Sequence, residues 1–382
     1  MEFIAKTMKG LEEVLATELI QLGANDVEIQ RRAVAFSGDK ALMYKANLQL
    51  RTALRILVPI AQFRAKDADE VYENIKKINW HTYMDSNTLF AIDSIVYSDD
   101  IQHSRFVTYR VKDGICDFFT EQNLQRPSVS IDHPQLLINV HISMNRCTIS
   151  LDSSGESLHK RGYRMAQNEA PISEVLAAGM LLLAGWNGET DFVDPMCGSG
   201  TFLIEAALIA LNIPPGIYRP GFGFETWKDF DKQLFDSLYQ DDSGERPFEH
   251  HIYGSDISGR ALKIADENIK SAGLGKYISL HKSDVASLES PVQEKCLIVT
   301  NPPYGERLTS PEIYDIYSSL GTTLKHRFAG STAWVISSDN SMLDRIGLKP
   351  SKKIKLLNGA LECSFNKYEM FSGKRKDILT SR

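Results

Sequence analysis

The sequence predicts an α/β protein with a mostly parallel sheet, closed by an antiparallel hairpin and preceded by a small α+β region. Beyond about residue 170, short apolar strand-like runs alternate with helix-like runs, the pattern of a parallel sheet covered by helices on both faces. Near the end, two alternating segments flank Asn358-Gly359, which is typical of a hairpin turn. Before residue 155 the helix and strand signals are shorter, and the strands alternate apolar with polar residues.

Length and composition limit the protein class. The 382 residues suit two or three domains, and 43% apolar residues suffice for full cores. No apolar run approaches the roughly 18 residues that span a bilayer, and the start lacks a signal peptide. The five scattered cysteines form no C-x-x-C pair. We therefore expect a cytoplasmic protein without a membrane segment, metal site or disulfide framework.

In the first region, up to about residue 155, helix signals alternate with strand signals. "KGLEEVLATELIQLG" has helical spacing, and "DADEVYENIKKINW" opens with acidic residues that suit a helix N-terminus. "LFAIDSIVYS" alternates as a strand does, and "LLINVHISMNRCTISLDSS" predicts a hairpin that turns at Asn145-Arg146, with Met144 on the apolar face. This pattern predicts a small binding region, with two subdomains that meet near residue 50.

A polar segment, "DSSGESLHKRGYR", follows and predicts a linker. The net charge of −6 gives no support to nucleic-acid binding, so any such contact requires a local basic patch. Lys160, Arg161 and Arg164 in this segment are candidates, although basic clusters are more often simply solvated surface. Further basic clusters occur in "KPSKKIK" and "GKRK" near the end.

The second region begins with the apolar helix "ISEVLAAGMLLLAGW", for which Ser173 is a candidate N-cap. The strands that follow are predicted at "TDFVDP", "HIYGSD", "YISLHKSD", "CLIVTNPP" and "STAWVISS". Helices are predicted between them at "GTFLIEAALIALN", "SGRALKIADENIKSAG" and "PEIYDIYSSLGTTLKHRF". In such sheets, ligands bind at the carboxyl ends of the strands.

The first of these strands ends in "DPMCGSGTFLIEAA". Gly198 and Gly200 allow a tight turn and close approach of a ligand to the backbone, and Thr201 begins a helix. The P-loop pattern is absent, and Leu203 replaces the third glycine of a dinucleotide-binding fingerprint. We expect a ligand loop here, the alternative being an ordinary strand-to-helix turn.

The next two strands end in acidic residues. Asp256 in "GSDIS" suits hydrogen bonding to ribose hydroxyls, and Asp284 in "KSDV" suits an adenine amino group. Each alone is more often a helix N-cap or a turn residue. Together with Asp194, these two residues place a carboxylate at the ends of three successive strands, and this repetition favours ligand binding.

The fourth strand ends in "NPPY". The Asn301 side-chain oxygen and the Pro302 carbonyl can both accept hydrogens from a planar aromatic amine, which frees its lone pair for attack. Pro302 and Pro303 fix the backbone, so these acceptors are positioned in advance. Tyr304 offers a ring on which a base that has left its stack can lie. The alternative is a rigid Asx-Pro turn. No metalloprotease, serine-hydrolase or paired-acid signature is present, so we expect catalysis by positioning.

The motifs "DPMCGSGTFLIEAA" and "NPPYGERL" resemble those of amino-methyltransferases that use S-adenosylmethionine. More narrowly, the whole chain resembles THUMP-domain RNA methyltransferases, and within them the amino-terminal half of the bacterial large-subunit rRNA guanine-N2 methyltransferases. Those enzymes carry a second methyltransferase domain beyond the region of resemblance. The resemblance implies a Rossmann-like methyltransferase domain at 160–382, a THUMP RNA-binding domain at 45–155 and a ferredoxin-like subdomain at 1–50.

The resemblance also implies site roles. The base would be held by Asn301, Pro302, Pro303 and Tyr304. The cofactor would be bound by Asp194, Pro195, Cys197, Gly198, Gly200, Thr201, Asp256, Ile257 and Asp284. The implied substrate is RNA, with 23S rRNA as the first candidate. N6 methylation of adenine in RNA or DNA is a second hypothesis, and an inactive RNA-binding ribosome assembly factor is a third.

Overall fold

The computed structural model describes residues 1–101, 103–166, 171–303 and 310–371. These residues form two compact units, each assembled from separated stretches of chain. The first unit comprises Met1–Thr7, Leu15–Leu158 and Arg219–Gln240. The second comprises Met8–Val14, His159–Tyr218 and Asp241–Arg382. The sequence assigned residues 160–382 to one domain, whereas the stretch Arg219–Gln240 lies in the first unit.

The first unit contains one seven-stranded sheet. Its strands are β1 (Glu2–Thr7), β2 (Asn25–Gln30), β3 (Ala33–Ser37), β4 (Ala53–Arg64), β5 (Phe90–Tyr97), β6 (Leu136–Ser143) and β7 (Arg146–Asp152), in the spatial order β2-β3-β1-β4-β7-β6-β5. The helices are α1 (Glu12–Gln21), α2 (Lys40–Gln49), α3 (Ala68–Lys76) and α4 (Ser104–Thr120), of which α1 begins in the stretch Met8–Val14 of the second unit. The sequence predicted two subdomains meeting near residue 50. A single sheet runs through both, because the 12-residue β4 pairs with β1 along one part and with β7 along another.

The hairpin between β6 and β7 differs slightly from its prediction. The strand pairs end at Ser143 and Arg146, so the turn is formed by Met144 and Asn145 rather than Asn145 and Arg146. Met144 has φ +57° and is 68% exposed, instead of continuing the apolar face of Ile142. The two-residue loop requires a positive φ, and this requirement outweighs the apolar character of the side chain.

The second unit contains a second seven-stranded sheet. Its strands are β8 (Asp191–Asp194), β9 (Ile252–Asp256), β10 (Ile278–Lys282), β11 (Cys296–Thr300), β12 (Thr332–Ser337), β13 (Lys352–Asn358) and β14 (Leu361–Glu369). The order is β10-β9-β8-β11-β12-β14-β13, with β8 to β12 parallel and β14 antiparallel to β12. The helices are α5 (Glu174–Leu183), α6 (Thr201–Ala210), α7 (Lys232–Tyr239), α8 (Gly259–Ser271), α9 (Ser310–Arg327) and α10 (Asn340–Arg345), of which α7 belongs to the first unit. The predicted fold class, including the closing hairpin, is confirmed.

The predicted polar linker is packed and largely buried. In the first unit the Ser154 hydroxyl donates to Asn47 Oδ1 at 2.6 Å, and the Ser153 hydroxyl donates to the Ile56 carbonyl at 2.8 Å. In the second unit Arg161 and Tyr163 are 2% and 1% exposed. The linker prediction was wrong because internal partners satisfy these polar groups, a feature that composition does not reveal.

The aromatic stretch "RPGFGFETW" packs within the first unit. Phe224 is 1% exposed, and its ring centroid lies 4.5 Å from that of Tyr44 and 5.3 Å from that of Phe222. The density of aromatic residues therefore reflects packing. None of the helices in the described ranges is long and apolar enough to cross a membrane.

Candidate active site

The candidate site lies where the strand order of the second sheet reverses. β8 and β11 are neighbours, and the chain proceeds from β8 to β9 and β10 on one side and from β11 to β12 on the other. Ligands of open α/β sheets bind at such a point, beyond the carboxyl ends of the strands. A cavity of about 420 Å³ is present there, a volume suited to a small ligand.

Most of the predicted site residues line this cavity. Those that do are Asp194, Pro195, Cys197, Gly198, Thr201, Asp256, Ile257, Asp284, Asn301 and Pro303. Gly200 and Pro302 do not line it: Gly200 lies in the turn before α6, and Pro302 is buried. Tyr304 lies outside the described residues, as do the "GKRK" cluster and the end of "NPPYGERL".

The loop from Pro195 to Gly200 owes its shape to its glycines and to a neighbouring strand end. Gly198 and Gly200 have φ values of +54° and +82°, a region that L-residues with a side chain rarely adopt. The Gly198 N–H donates to Asp256 Oδ2 at 2.9 Å, and the Cys197 N–H donates to the Ser255 carbonyl at 2.8 Å. The loop is therefore tied to the end of β9.

Cys197 belongs to this loop and is buried, and burial raises the pKa of its thiol well above the ordinary value. The thiol therefore remains protonated near neutral pH, which leaves it a poor nucleophile. Cys197 contributes shape to the cavity rather than reactivity. Among the residues that the structure describes, no cluster of side chains is arranged to hold a metal ion.

Asp194 connects the ends of β8 and β11. Its Oδ1 accepts a hydrogen bond from the Thr300 hydroxyl at 2.8 Å and another from the Met196 N–H at 3.1 Å. Burial raises the pKa of this carboxyl from 3.8 to about 7, while the Thr300 hydrogen bond opposes the rise. Asn301, the residue after Thr300, lines the same cavity as the loop from Pro195.

The two other acidic residues serve local structure as well as the cavity. Asp256 Oδ1 accepts from the Ser258 N–H at 2.8 Å, which forms a turn before α8. Asp284 Oδ1 accepts from the Ala286 N–H at 2.9 Å and caps a short 3₁₀ turn. The capping alternative is thus observed. Because a carboxylate has about four acceptor positions, both residues retain capacity for a ligand.

Asn301 carries an unused acceptor. Its Oδ1 is buried and has no hydrogen-bond partner in the described part of the chain. A buried polar atom without a partner costs about 1–3 kcal/mol, so its retention calls for an explanation. A ligand that donates a hydrogen at this position would satisfy it.

Side chains from several elements hold the glycine loop, and the sequence predicted this role for none of them, although Arg164 was a candidate for RNA contact. Arg164 Nε donates to Glu174 Oε1 at 2.7 Å, and its terminal nitrogens donate to the Thr201 hydroxyl at 3.0 Å and the Ser199 hydroxyl at 3.3 Å. Asn268 Nδ2 also donates to the Ser199 carbonyl at 3.1 Å. These residues come from separate elements, so no spacing in the sequence could have indicated them.

The basic candidates for RNA contact have different surroundings. The Arg161 guanidinium lies 3.5 Å from Glu205 Oε1 and is buried with it. Arg164 is engaged with the glycine loop. Both guanidinium groups have partners inside the second unit, and an RNA contact for Arg161 and Arg164 stays a prediction. Lys160 is exposed, and its role stays a prediction.

The described residues fit S-adenosylmethionine. The glycine loop with positive φ would approach the methionine portion, Asp256 would accept from the ribose, and the exposed aliphatic side chain of Ile257, 65% accessible, would contact the adenine. The unsatisfied Asn301 Oδ1 is left for the methyl acceptor. These positions match an adenosyl ligand without a phosphate, in line with the missing P-loop.

Three family models match the chain. The description "RMKL-like, methyltransferase domain" matches residues 161–367, "RlmL ferredoxin-like domain" matches 2–57, and "THUMP domain" matches 65–152. Together they cover both units.

Similar proteins agree with these matches. A Synechocystis protein named as a candidate RNA methyltransferase, slr0064, is 41% identical over 97% of each chain. The ribosomal RNA large subunit methyltransferase K/L of Photobacterium profundum is 36% identical over 98% of this chain and 54% of its own length, so the chain spans about half of that relative. A solved structure of a candidate methyltransferase, SMU.472, in complex with SAH is 29% identical, with a TM-score of 0.88 over 98% of this chain and 99% of that one.

The strand order, the glycine loop at the reversal point and these similarities agree with one another. The chain belongs to the RMKL-like family of S-adenosylmethionine-dependent methyltransferases and carries a ferredoxin-like and a THUMP domain ahead of its methyltransferase domain.

Proposed function

We propose that the protein methylates the exocyclic N2 amine of a guanine in RNA, with large-subunit rRNA as the substrate. The names of the similar proteins support RNA as the substrate, and the name of the K/L relative supports large-subunit rRNA in particular. A THUMP domain on the same chain supports RNA binding. The chain spans about half of the K/L relative. The rRNA substrate in the name of that longer protein therefore supports the proposal only as far as the shared half acts on it.

The unpartnered Asn301 Oδ1 is the observation that carries the chemical part of the proposal. An exocyclic amine has its lone pair delocalised into the ring and is a poor nucleophile. An amide oxygen that accepts one amine hydrogen favours the tetrahedral geometry in which the lone pair is localised. The second acceptor in this proposal is the backbone carbonyl of Pro302, although Pro302 is buried and does not line the cavity. Pro302 and Pro303 fix the backbone before the base arrives.

S-adenosylmethionine, when bound, supplies an electrophilic methyl group. The chain contributes orientation: Asp256 and the glycine loop hold the cofactor, while Asn301 and Pro302 hold the amine. Neither acceptor is basic enough to take a proton at neutral pH, so they position the nitrogen, and the proton that it loses passes to water. Tyr304 is proposed to stack on the base, which must leave its helix to enter.

The chemical proposal is tested with Asn301→Ala. We expect transfer of labelled methyl to rRNA from cells that lack this protein to fall at least about 100-fold, the effect of removing one preorganised polar group. Cofactor affinity measured by calorimetry should change little, because Asn301 is assigned to the amine. Asn301→Asp should keep more activity than Asn301→Ala, since a carboxylate also accepts.

A matched control is Asn340→Ala, the same substitution at an exposed Asn beyond the end of β12. It should leave both transfer and cofactor affinity unchanged. Full transfer by Asn301→Ala would contradict the proposed mechanism.

The identity of the product decides between the bases. Digestion of the methylated RNA should yield N2-methylguanosine. Recovery of N6-methyladenosine would mean that the target base is adenine rather than guanine, and the proposed role of Asn301 would be unchanged. Failure of the wild-type chain to bind the cofactor would favour an inactive RNA-binding assembly factor.

A further inference from the structure

Side chains from four neighbouring strands of the first sheet form two rows on one face. In the first row, Tyr97 on β5 is opposite Ser143 on β6, which is opposite Arg146 on β7, which is opposite Arg64 on β4. The second row, two positions along each strand, consists of Ile95, His141, Thr148 and Gln62. Paired residues project on the same side of a sheet, so each row is a continuous strip.

Both rows project away from the packed core. The residues that alternate with the first row, namely Phe63, Val96, Ile142 and Cys147, all belong to or pack against the hydrophobic cluster beneath α3 and α4. Because successive side chains of a strand point to opposite faces, the rows lie on the face opposite these helices. Tyr97 is 63% exposed there, and Arg64 and Arg146 are also exposed. We refer to these two rows as the open face.

The two arginines of the open face are a pair of like charges. Arg64 and Arg146 are directly opposite each other across an antiparallel pair, an arrangement in which like charges destabilise a sheet. Neither forms an ion pair with any residue in the described ranges, and the two rows contain no carboxylate. In a chain with net charge −6 this is a local excess of positive charge that a bound anion would neutralise.

The open face also carries two aromatic rings, Tyr97 in the row of the arginines and His141 in the second row. The rings of Tyr97 and His141 have centroids 6.0 Å apart at 60°. Burial, together with the charge of Lys6, lowers the pKa of His141, which favours the neutral ring. The exposed ring of Tyr97, in one row with two cations, matches the two needs of single-stranded nucleic acid, namely stacking of bases and contacts to phosphates.

We propose that the open face binds a single-stranded segment of the substrate RNA, with a base stacked on Tyr97 and a phosphate held by Arg64 and Arg146. This inference rests on the proposed function, since it names the surface that holds the substrate. A protein partner fits less well, because Ile95 is the only aliphatic side chain in the two rows and the charge is of one sign. The strip crosses four strands, about 14 Å at the usual strand spacing.

The test uses the full chain and a fluorescein-labelled single-stranded oligouridine as the probe, with binding followed by fluorescence anisotropy. We expect Tyr97→Ala to weaken binding about 5- to 150-fold, the effect of losing one stacked base, while Tyr97→Phe binds like the wild type. Arg146→Gln should weaken binding and reduce the slope of log affinity against log salt by about 0.7. The control Lys77→Gln removes an exposed cation just beyond α3, on the helical side of the same unit, and should leave affinity and slope unchanged.

The outcomes separate this inference from the proposed function. Equal affinity of the wild type, Tyr97→Ala and Arg146→Gln overturns the open face as the RNA site, as does the absence of wild-type binding. Methyl transfer to rRNA is measured in parallel and alone decides the proposed function. Binding that depends on Tyr97 without any methyl transfer would support the open face and overturn the proposed reaction. Matching unfolding midpoints for all variants exclude misfolding as a cause.

Discussion

Replacing Thr300 with Val is expected to destabilise the protein by an amount that depends on pH. The substitution deletes the hydroxyl that donates to Asp194 Oδ1 at 2.8 Å, in a place where both side chains are buried. A hydrogen bond between neutral groups contributes about 0.5–1.5 kcal/mol, and one to a charged group about 1.5–3 kcal/mol. The size of the loss therefore depends on whether Asp194 is ionised.

The sign follows from the pKa of Asp194, which burial raises from 3.8 to about 7. The folded state binds this proton more tightly than the unfolded state does, so stability is greatest at low pH and falls as the pH rises through about 7. The Thr300 hydroxyl favours the carboxylate and thereby limits that fall. Without the hydroxyl the folded pKa is higher still, and the decline continues to higher pH.

The assay is urea unfolding of the wild type and Thr300→Val at about pH 6 and about pH 9. We expect a loss of about 1 kcal/mol at the lower pH and about 2–3 kcal/mol at the higher one. Thr323→Val is the matched control: its buried hydroxyl donates to the Val285 carbonyl at 2.7 Å, a group that does not titrate, so its loss should not vary with pH. An equal loss for Thr300→Val at both pH values would refute the link to Asp194.

Two further substitutions test the loop and the buried ion pair. Gly200→Ala places a side chain at φ +82°, with its Cβ 3.2 Å from that of Ala265. We expect about 1–2 kcal/mol of strain and weaker cofactor binding by calorimetry. The control Gly259→Ala has open space around the added Cβ and should bind the cofactor normally. Arg161→Met removes the buried Arg161 guanidinium from the fully buried Glu205, and we expect about 3–5 kcal/mol lower stability in urea unfolding. Lys160→Met, the same change at an exposed cation, should lower the stability far less. A comparable loss of stability at Lys160 would contradict the importance of the Arg161–Glu205 pair.

The sequence was sufficient to predict the second sheet and the residues at its strand ends. Apolar runs of strand length are separated by amphipathic helices, so "TDFVDP", "HIYGSD" and "CLIVT" predicted their strands correctly. Ligand-binding residues of such a sheet follow the strands directly, and ten of the predicted site residues line the cavity. These features are local in the chain, which is why the pattern contains them.

Features that depend on distant parts of the chain could not be predicted. The polar segment before α5 resembled a linker, yet Arg161 is paired with Glu205, 44 residues away, and Arg164 reaches Glu174 and Thr201. The aromatic stretch from Arg219 lies in the first unit although it follows α6 of the second in sequence. The partners of a buried polar or aromatic side chain are chosen by packing, and composition does not specify them.

The sequence by itself determined the order of strands and helices, the loop with Gly198 and Gly200, and the chemistry available at Asn301. Only the tertiary structure determined that Asn301 Oδ1 is buried without a described partner and that Tyr97, Arg146 and Arg64 stand in one row. The physical reason is that backbone preferences act over a few residues. Burial and the pairing of strands depend on which distant segments of the chain pack together. That packing places individual side chains where they can bind a ligand.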